Sequence, residues 1–313
     1  MSPDAVLAVR GLVIRYGATE AVRGIDIAAR RGEVLGLIGP DGAGKTSTLR
    51  VIAGLAKPAA GEVTVLGREA WKHRRALHHS LGYLAQRFAL YGDLSVDENV
   101  QFFALLYGVR GWRERREQLL ERVGLAPFRA RQADRLSGGM KQKLALACSL
   151  MHAPEILLLD EPTTGVDPVT RRELWKLLAD LVAEGLTLVV ATPYLDEAER
   201  CSRVVLIHQG RLLADAPPQT IPSLLPGTMV EVTGQPRALI FETLSQLEGV
   251  ADVQPFAARF HVRLEHVSDP VALISDALAR AGATTEEVRE IRAGLEDTFL
   301  YLTRSNRVVS EAA

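Results

Sequence analysis

Two hydrophobic textures alternate along the first two thirds of the chain. In one, apolar and polar positions take turns between glycine-marked bends: "LAVRGLVIRYG" (7–17), "AVRGIDIAARRGEVLGLIG" (21–39) and "GEVTVLG" (61–67). A period of two broken by glycine predicts half-buried antiparallel strands. In the other, apolar residues run almost unbroken, as in "EVLGLIG" ending at Gly39, "EILLLD" (155–160) and "LTLVVAT" (186–192). Such runs suit parallel strands covered on both faces. Helical periodicity fills the intervals at 45–55, 96–107, 112–122, 138–152, 168–184 and 195–201. Buried parallel strands with helices between them predict a doubly wound α/β sheet.

The texture changes at "ADAPPQTIPSLLPG" (214–227), where four prolines and weak periodicity read as a linker, placed at 216–227. Beyond it the order is strand (229–233), helix (236–247), strands (250–254 and 259–264), helix (269–281) and strand (286–291). That β-α-β-β-α-β order predicts a small α+β domain of ferredoxin-like type over 228–313, closed by a helix at "LEDTFLYLTR". The expected organisation is therefore a first domain, 1–215, with a helical subdomain at about 88–150, followed by the small one. No internal repeat or low-complexity tract interrupts it.

Length agrees with this, since 313 residues suggest two domains. At 47% apolar and 24% charged residues the composition is that of a globular protein with a sizeable core. A formal net charge of −1 supplies no global attraction to nucleic acid or anionic lipid. Only "KHRR" (72–75) and "RGWRERR" (110–116) are locally basic. Cys148 and Cys201 form no CxxC pair and read as small, reduced, inert thiols. Met1–Arg10 lacks the basic start and apolar core of a signal peptide, and no apolar run nears the ~20 residues needed to span a bilayer. A role at a membrane is thus expected to need other chains.

The chemistry begins with Gly39-Pro40-Asp41-Gly42-Ala43-Gly44-Lys45-Thr46, followed by Ser47, which fits G-x-x-x-x-G-K-[ST] between a buried strand and a helix. Glycines let successive backbone N–H groups turn inward around an anion, and the helix presents its positive end to the same place. Lys45 is expected to reach the β- and γ-phosphates of a nucleotide and Thr46 Oγ to ligate Mg²⁺. Such a site also needs a carboxylate. Asp160 ends a buried strand, where an uncompensated charge is expensive, and is assigned to the Mg²⁺ shell through water. Glu161 beside it is the candidate general base for an attacking water.

Between these elements stands "LSGGMKQK" (136–143), and here the chain resembles the ATP-binding subunits of ABC transporters, over roughly residues 5–215. Leu136, Ser137, Gly138, Gly139 and Met140 are similar to that family's signature. They open a helix whose exposed N–H groups the resemblance assigns to ATP held by a partner subunit. It implies a P-loop fold of ABC type, with an antiparallel β subdomain and a helical subdomain. It further implies that Tyr16 in "IRYG" stacks on adenine and that Gln86 in "GYLAQ" contacts Mg²⁺ and the attacking water. Asp167 in "GVDP" links the two sites of a dimer and is equally suited to cap the helix that starts at Pro168. The run "RFALYGDLSVDENVQFFALLYG" either faces membrane subunits or belongs to the core of the helical subdomain. "YLDEAERC" and the appended domain resemble drug-export ATPases, most of all the first half of tandem-ATPase multidrug exporters.

One position departs from the family. Where it has a histidine that donates to the γ-phosphate, this chain has Pro193, which donates nothing from ring or backbone. Removing one preorganised donor costs about 10²–10³ in rate, and His73, His78, His79, His152 and His208 offer no evident substitute along the sequence. The site on this chain's own P-loop is therefore expected to bind MgATP and hydrolyse it slowly. The intact signature would complete a competent site on a different cassette, which favours a heterodimer. Asp41, where the family has asparagine, is expected to point away from the phosphates. The implied partners are a second cassette and integral membrane subunits, at the cytoplasmic face of the cell membrane. Two alternatives stay open: a catalytically degenerate regulatory partner, and a soluble ABC protein acting on ribosomes or DNA.

Overall fold

The computed structural model describes residues 5–86 and 90–305. The chain divides into two units, the first running to Pro218 and the second beginning at Gln219.

Both textures of the first unit become sheets. The alternating runs form β1 (Ala5–Tyr16), β2 (Thr19–Arg30), β4 (Ala60–Val65) and β5 (Arg68–Glu69), paired antiparallel in the order β2-β1-β4-β5. The unbroken runs form β3 (Val34–Ile38), β7 (Ile156–Asp160) and β8 (Thr187–Thr192), buried at every residue. With β6 (Leu81–Leu84), β9 (Arg203–His208) and β10 (Arg211–Ala216) they build a sheet ordered β10-β9-β3-β8-β7-β6. Only β10 runs antiparallel to its neighbour. A single core joins the two sheets, with Leu7, Leu12 and Ile25 packing into the cluster that holds Leu35, Leu37 and Val189. Each such side chain contributes about 1.5–3 kcal/mol by leaving water. The parallel order brings the C-terminal ends of β3, β7 and β8 to one edge, which positions the site.

The helices are α1 (Lys45–Ile52), α2 (Arg74–Leu77), α3 (Val96–Leu106), α4 (Trp112–Arg122), α5 (Gly138–Leu150), α6 (Pro168–Ala183) and α7 (Leu195–Ala198). The helical subdomain is α3, α4 and α5 packed on one another. A capping box starts α3: Glu98 N donates to Ser95 Oγ at 3.2 Å and Ser95 N to Glu98 Oε2 at 2.8 Å. Arg115 closes the far end of α5 by donating to the Leu150 and Met151 carbonyls at 2.8 and 2.9 Å. The aromatic run after Gln86 divides by face. Val100 and Ala104 are buried, whereas Leu105 and Leu106 stand exposed; residues 87–89 lie outside the described ones.

In the second unit β11 (Thr228–Gln235), β12 (Val250–Phe256), β13 (Arg259–Leu264) and β14 (Thr284–Ile291) pair antiparallel in the order β12-β13-β11-β14. The helices α8 (Arg237–Ser245) and α9 (Pro270–Ala281) follow β11 and β13, giving the β-α-β-β-α-β order, and α10 (Leu295–Ser305) closes the unit. Val230, Val232, Ile240, Leu244, Val262 and Leu278 form its core. Glu231, on the alternate side of β11, is buried and accepts from Arg259 and Arg289 at 2.8 Å each. Those guanidinium bonds hold its carboxyl well below the usual range, at about 2. Within the proline-rich stretch a short 3₁₀ turn, Ile221–Leu224, buries Ile221 completely, since prolines fix φ without preventing a tight turn. Among the described residues no helix is long and apolar enough to cross a membrane.

Candidate nucleotide site

At the end of β3 the chain turns through Gly39–Gly44 into α1. Two of its glycines are sterically required. A Cβ on Gly39 would lie 2.1 Å from the Ile207 carbonyl oxygen, and one on Gly44, at φ 107°, 2.7 Å from that of Ala21. The backbone is thereby pressed against β2 and β9, leaving its other side open to a cleft of about 340 Å³. Asp41, Gly42, Ala43, Gly44, Thr46 and Ser47 line it, with Tyr16 at its mouth, 50% exposed at the end of β1. Lys45 is buried and folds over its own loop, donating to the Gly39 and Pro40 carbonyls at 2.8 and 2.9 Å. Burial lowers its ammonium, and the charges of Glu161, Asp41 and Asp160 offset part of that. Asp41 lines the cleft, exposed, near enough to favour protonated Lys45.

Asp160 ends β7 with 1% of its surface exposed. Thr46 Oγ1 donates to its Oδ1 at 2.8 Å and the Tyr83 hydroxyl to its Oδ2 at 3.2 Å. Burial pushes the carboxyl up, and these two donors oppose the shift. Among the described residues it forms no ion pair. A buried carboxylate beside a hydroxyl and a phosphate loop suits Mg²⁺, which takes few protein ligands and fills its shell with water and phosphate oxygens.

Glu161 leaves in another direction because its backbone is left-handed, at φ 51°, a strained value for a residue other than glycine. Its N–H donates to the Ala191 carbonyl of β8 at 2.8 Å, which holds the turn. Its Oε2 accepts from Gln86 Nε2 at 2.8 Å and from Thr164 Oγ1 at 3.1 Å. Two successive acids thus face two tasks from one strand end.

The signature lies apart. None of Leu136–Met140 lines the cleft. Leu136 is buried, Ser137 caps α5 by accepting from Met140 N at 3.3 Å, and Gly138 is exposed. A Cβ on Gly139 would meet Thr170 Cγ2 at 2.6 Å, so the start of α5 is pressed against the first turn of α6. Asp167 caps that turn, accepting from Val169 and Thr170 N at 3.0 Å each, and these backbone donors lower its carboxyl.

Pro193 follows β8, half-buried, and Tyr194 N turns back to Thr192 Oγ1 at 3.1 Å. Among the described residues no histidine lines the cleft. His152 is committed elsewhere: it stacks on Tyr107 at 3.9 Å, its Nε2 meets the Leu81 carbonyl at 3.0 Å, and burial pushes it down to about 4. His78 stacks on the same tyrosine at 4.7 Å.

Three contributors escape sequence reasoning: Tyr83, Thr164 and Glu197. Glu197 is fully buried, accepts from Thr163 Oγ1, and lies 3.8 Å from Arg171, which also covers the Tyr194 ring. It ties the segment after Pro193 to the loop before Asp167. The spacing of Thr164, three residues past Glu161, is the one local signal that could have been read.

The ABC transporter family model matches residues 22–164. The probable multidrug ABC transporter ATP-binding protein YbhF of Escherichia coli (strain K12) is 40% identical over 309 residues, covering 96% of this chain and 52% of that protein. The chain thus spans about half the length of that relative. It covers 99% of the daunorubicin resistance ATP-binding protein DrrA3 of Streptomyces coeruleorubidus, at 37% identity over 320 residues and 99% of this chain. A solved ATP-binding subunit of an ABC transporter superposes with a TM-score of 0.64 at 28% identity, covering 70% of this chain and 92% of its own. A dimeric ATP-binding cassette in a post-hydrolysis state with ADP and Pi gives 0.62 at 26%, covering 67% and 98%. With a phosphate loop, paired acids and a separate capped signature helix in one α/β unit, the chain belongs to the ATP-binding proteins of ABC transporters.

Proposed function

We propose that the chain is the ATP-binding and ATP-hydrolysing subunit of an exporter of drugs or other small molecules. It acts at the cytoplasmic face of the cell membrane through separate integral membrane subunits. The observation that carries this reading is the convergence of Lys45, Thr46, Asp160, Glu161 and Gln86 from two strand ends and one helix, while Ser137–Met140 open α5 outside their cleft.

The loop N–H groups and the start of α1 hold the phosphates, and Lys45 exchanges its two carbonyl partners for phosphate oxygens. Thr46 and Asp160 hold Mg²⁺, which when bound neutralises phosphate charge. Glu161 takes the proton of a water oriented by Gln86, and that water attacks the γ-phosphorus to leave ADP and phosphate. Tyr16 stacks on adenine. Leu136–Met140 of this chain cap ATP on a second cassette, and Asp167 links the two sites. Closure of the pair drives the membrane subunits, and hydrolysis resets them.

With Pro193 in place of the donor, the site on this chain's loop hydrolyses slowly and a heterodimer with one fast site follows. The same residue favours a second reading, a regulatory partner with negligible turnover of its own. Phosphate release by the chain alone, and mixed with a cassette that carries the histidine, decides between them. Slow turnover alone and fast turnover in the mixture supports the first. Ordinary turnover alone, unchanged by Pro193→His, overturns the assigned role of Pro193.

A further inference from the structure

Tyr83 has no part in the mechanism above. It stands on β6 opposite Leu158, two residues before Asp160 on the neighbouring strand. Its hydroxyl donates to Asp160 Oδ2 at 3.2 Å, and the Arg50 guanidinium lies near enough to act on the same hydroxyl. Thr46 Oγ1 occupies the other carboxylate oxygen at 2.8 Å. Thr46 and Arg50 are four residues apart in α1, so one helix face carries both the hydroxyl bonded to Asp160 and the cation beside the phenol. Packing at this position needs only the ring. Leu81 and Leu84 fill the buried positions of the same strand with no polar atom. The hydroxyl is the part that packing does not explain, and its hydrogen bond goes to the acid of the phosphate site.

We infer that Tyr83 is a positioning residue for Asp160: its hydroxyl holds Oδ2 so that Oδ1, beside Thr46, is presented toward the metal. This rests on the proposed MgATP site. A carboxylate bonded at both oxygens cannot rotate about its terminal torsion. One bonded at a single oxygen can, and it then meets the ion in the right orientation only part of the time. Partners of this kind, behind a metal ligand, are worth about 10–100-fold in metal affinity.

The test is equilibrium binding of a non-hydrolysable fluorescent ATP analogue to the full chain, with EDTA and across a series of free Mg²⁺ concentrations. Tyr83→Phe is expected to leave the EDTA affinity unchanged and to raise the half-saturating Mg²⁺ about tenfold. Arg50→Ala, at an exposed position, should move it in the same direction by a smaller factor. An unchanged Mg²⁺ midpoint in Tyr83→Phe overturns the inference. So does an equal loss of affinity in EDTA, which marks a merely structural residue. If the unaltered chain fails to bind the analogue at all, the nucleotide site itself is wrong, a result distinct from either.

Discussion

β7 and β8 are neighbours in one sheet, with Asp160 in register with Ala191, and they deliver opposite endings to the same edge. β7 ends in two acids that are almost over-determined. Thr46 and Tyr83 hold Asp160, Gln86 and Thr164 hold Glu161, and a strained backbone turns the two carboxylates apart. β8 ends in Thr192 and Pro193, and the proline can offer no donor. The segment after it is anchored away from the cleft, by Arg171 over Tyr194 and by Glu197 against Thr163. One strand end thus holds a pair of acids closely while the strand beside it runs into a residue with no hydrogen to donate. The difference lies in which polar atoms are present, since both strands are equally buried.

The comparison breaks most sharply at Glu161. Glu161→Gln keeps the Gln86 and Thr164 neighbours but removes the base, and phosphate release at this chain's loop should fall about 10²–10⁴-fold. Nucleotide binding should persist; unchanged hydrolysis would place the base elsewhere. Next comes the opposite change. Pro193→His restores a donor at the end of β8 and should raise the rate, by up to about 10²–10³ if the ring reaches the developing charge. A flat result in single-turnover assays would show that β8 takes no part. Ser137→Arg should abolish ATP-dependent pairing with a second cassette while leaving nucleotide affinity unchanged, as read by size-exclusion chromatography and analogue binding. The smallest effect is a pH effect in the second unit. Glu231 is held at about 2 against an ordinary 4.5, so its stabilisation is complete above 4.5 and fades as pH falls toward 2. Glu231→Gln should flatten that limb in acid unfolding followed by circular dichroism.

Local signals carried far in the central sheet because its strands are continuous apolar runs and its phosphate loop is one contiguous motif. Asp167 was legible as a cap from its place before Pro168. The position of Asp41 in the loop does not reveal that its charge bears on Lys45. The proline-rich composition of 216–227 gives no sign that Ile221 is wholly buried. Tyr83 and Glu197 carried no signal, because their partners lie 77 and 34 residues away along the chain.

What this chain's order of residues determined alone is the period of each strand, the glycines at 39 and 44, the donor-free proline at 193 and the identity of the acids at 160 and 161. These follow from covalent geometry and from hydrophobic spacing, which act within a few residues. Only the tertiary structure decided that Thr46 and Tyr83 share one carboxylate, that Gln86 and Thr164 share the next, and that the signature helix stands clear of the cleft. Those outcomes depend on parallel strands meeting across long loops, and a hydrogen bond has no reach until folding has closed the distance.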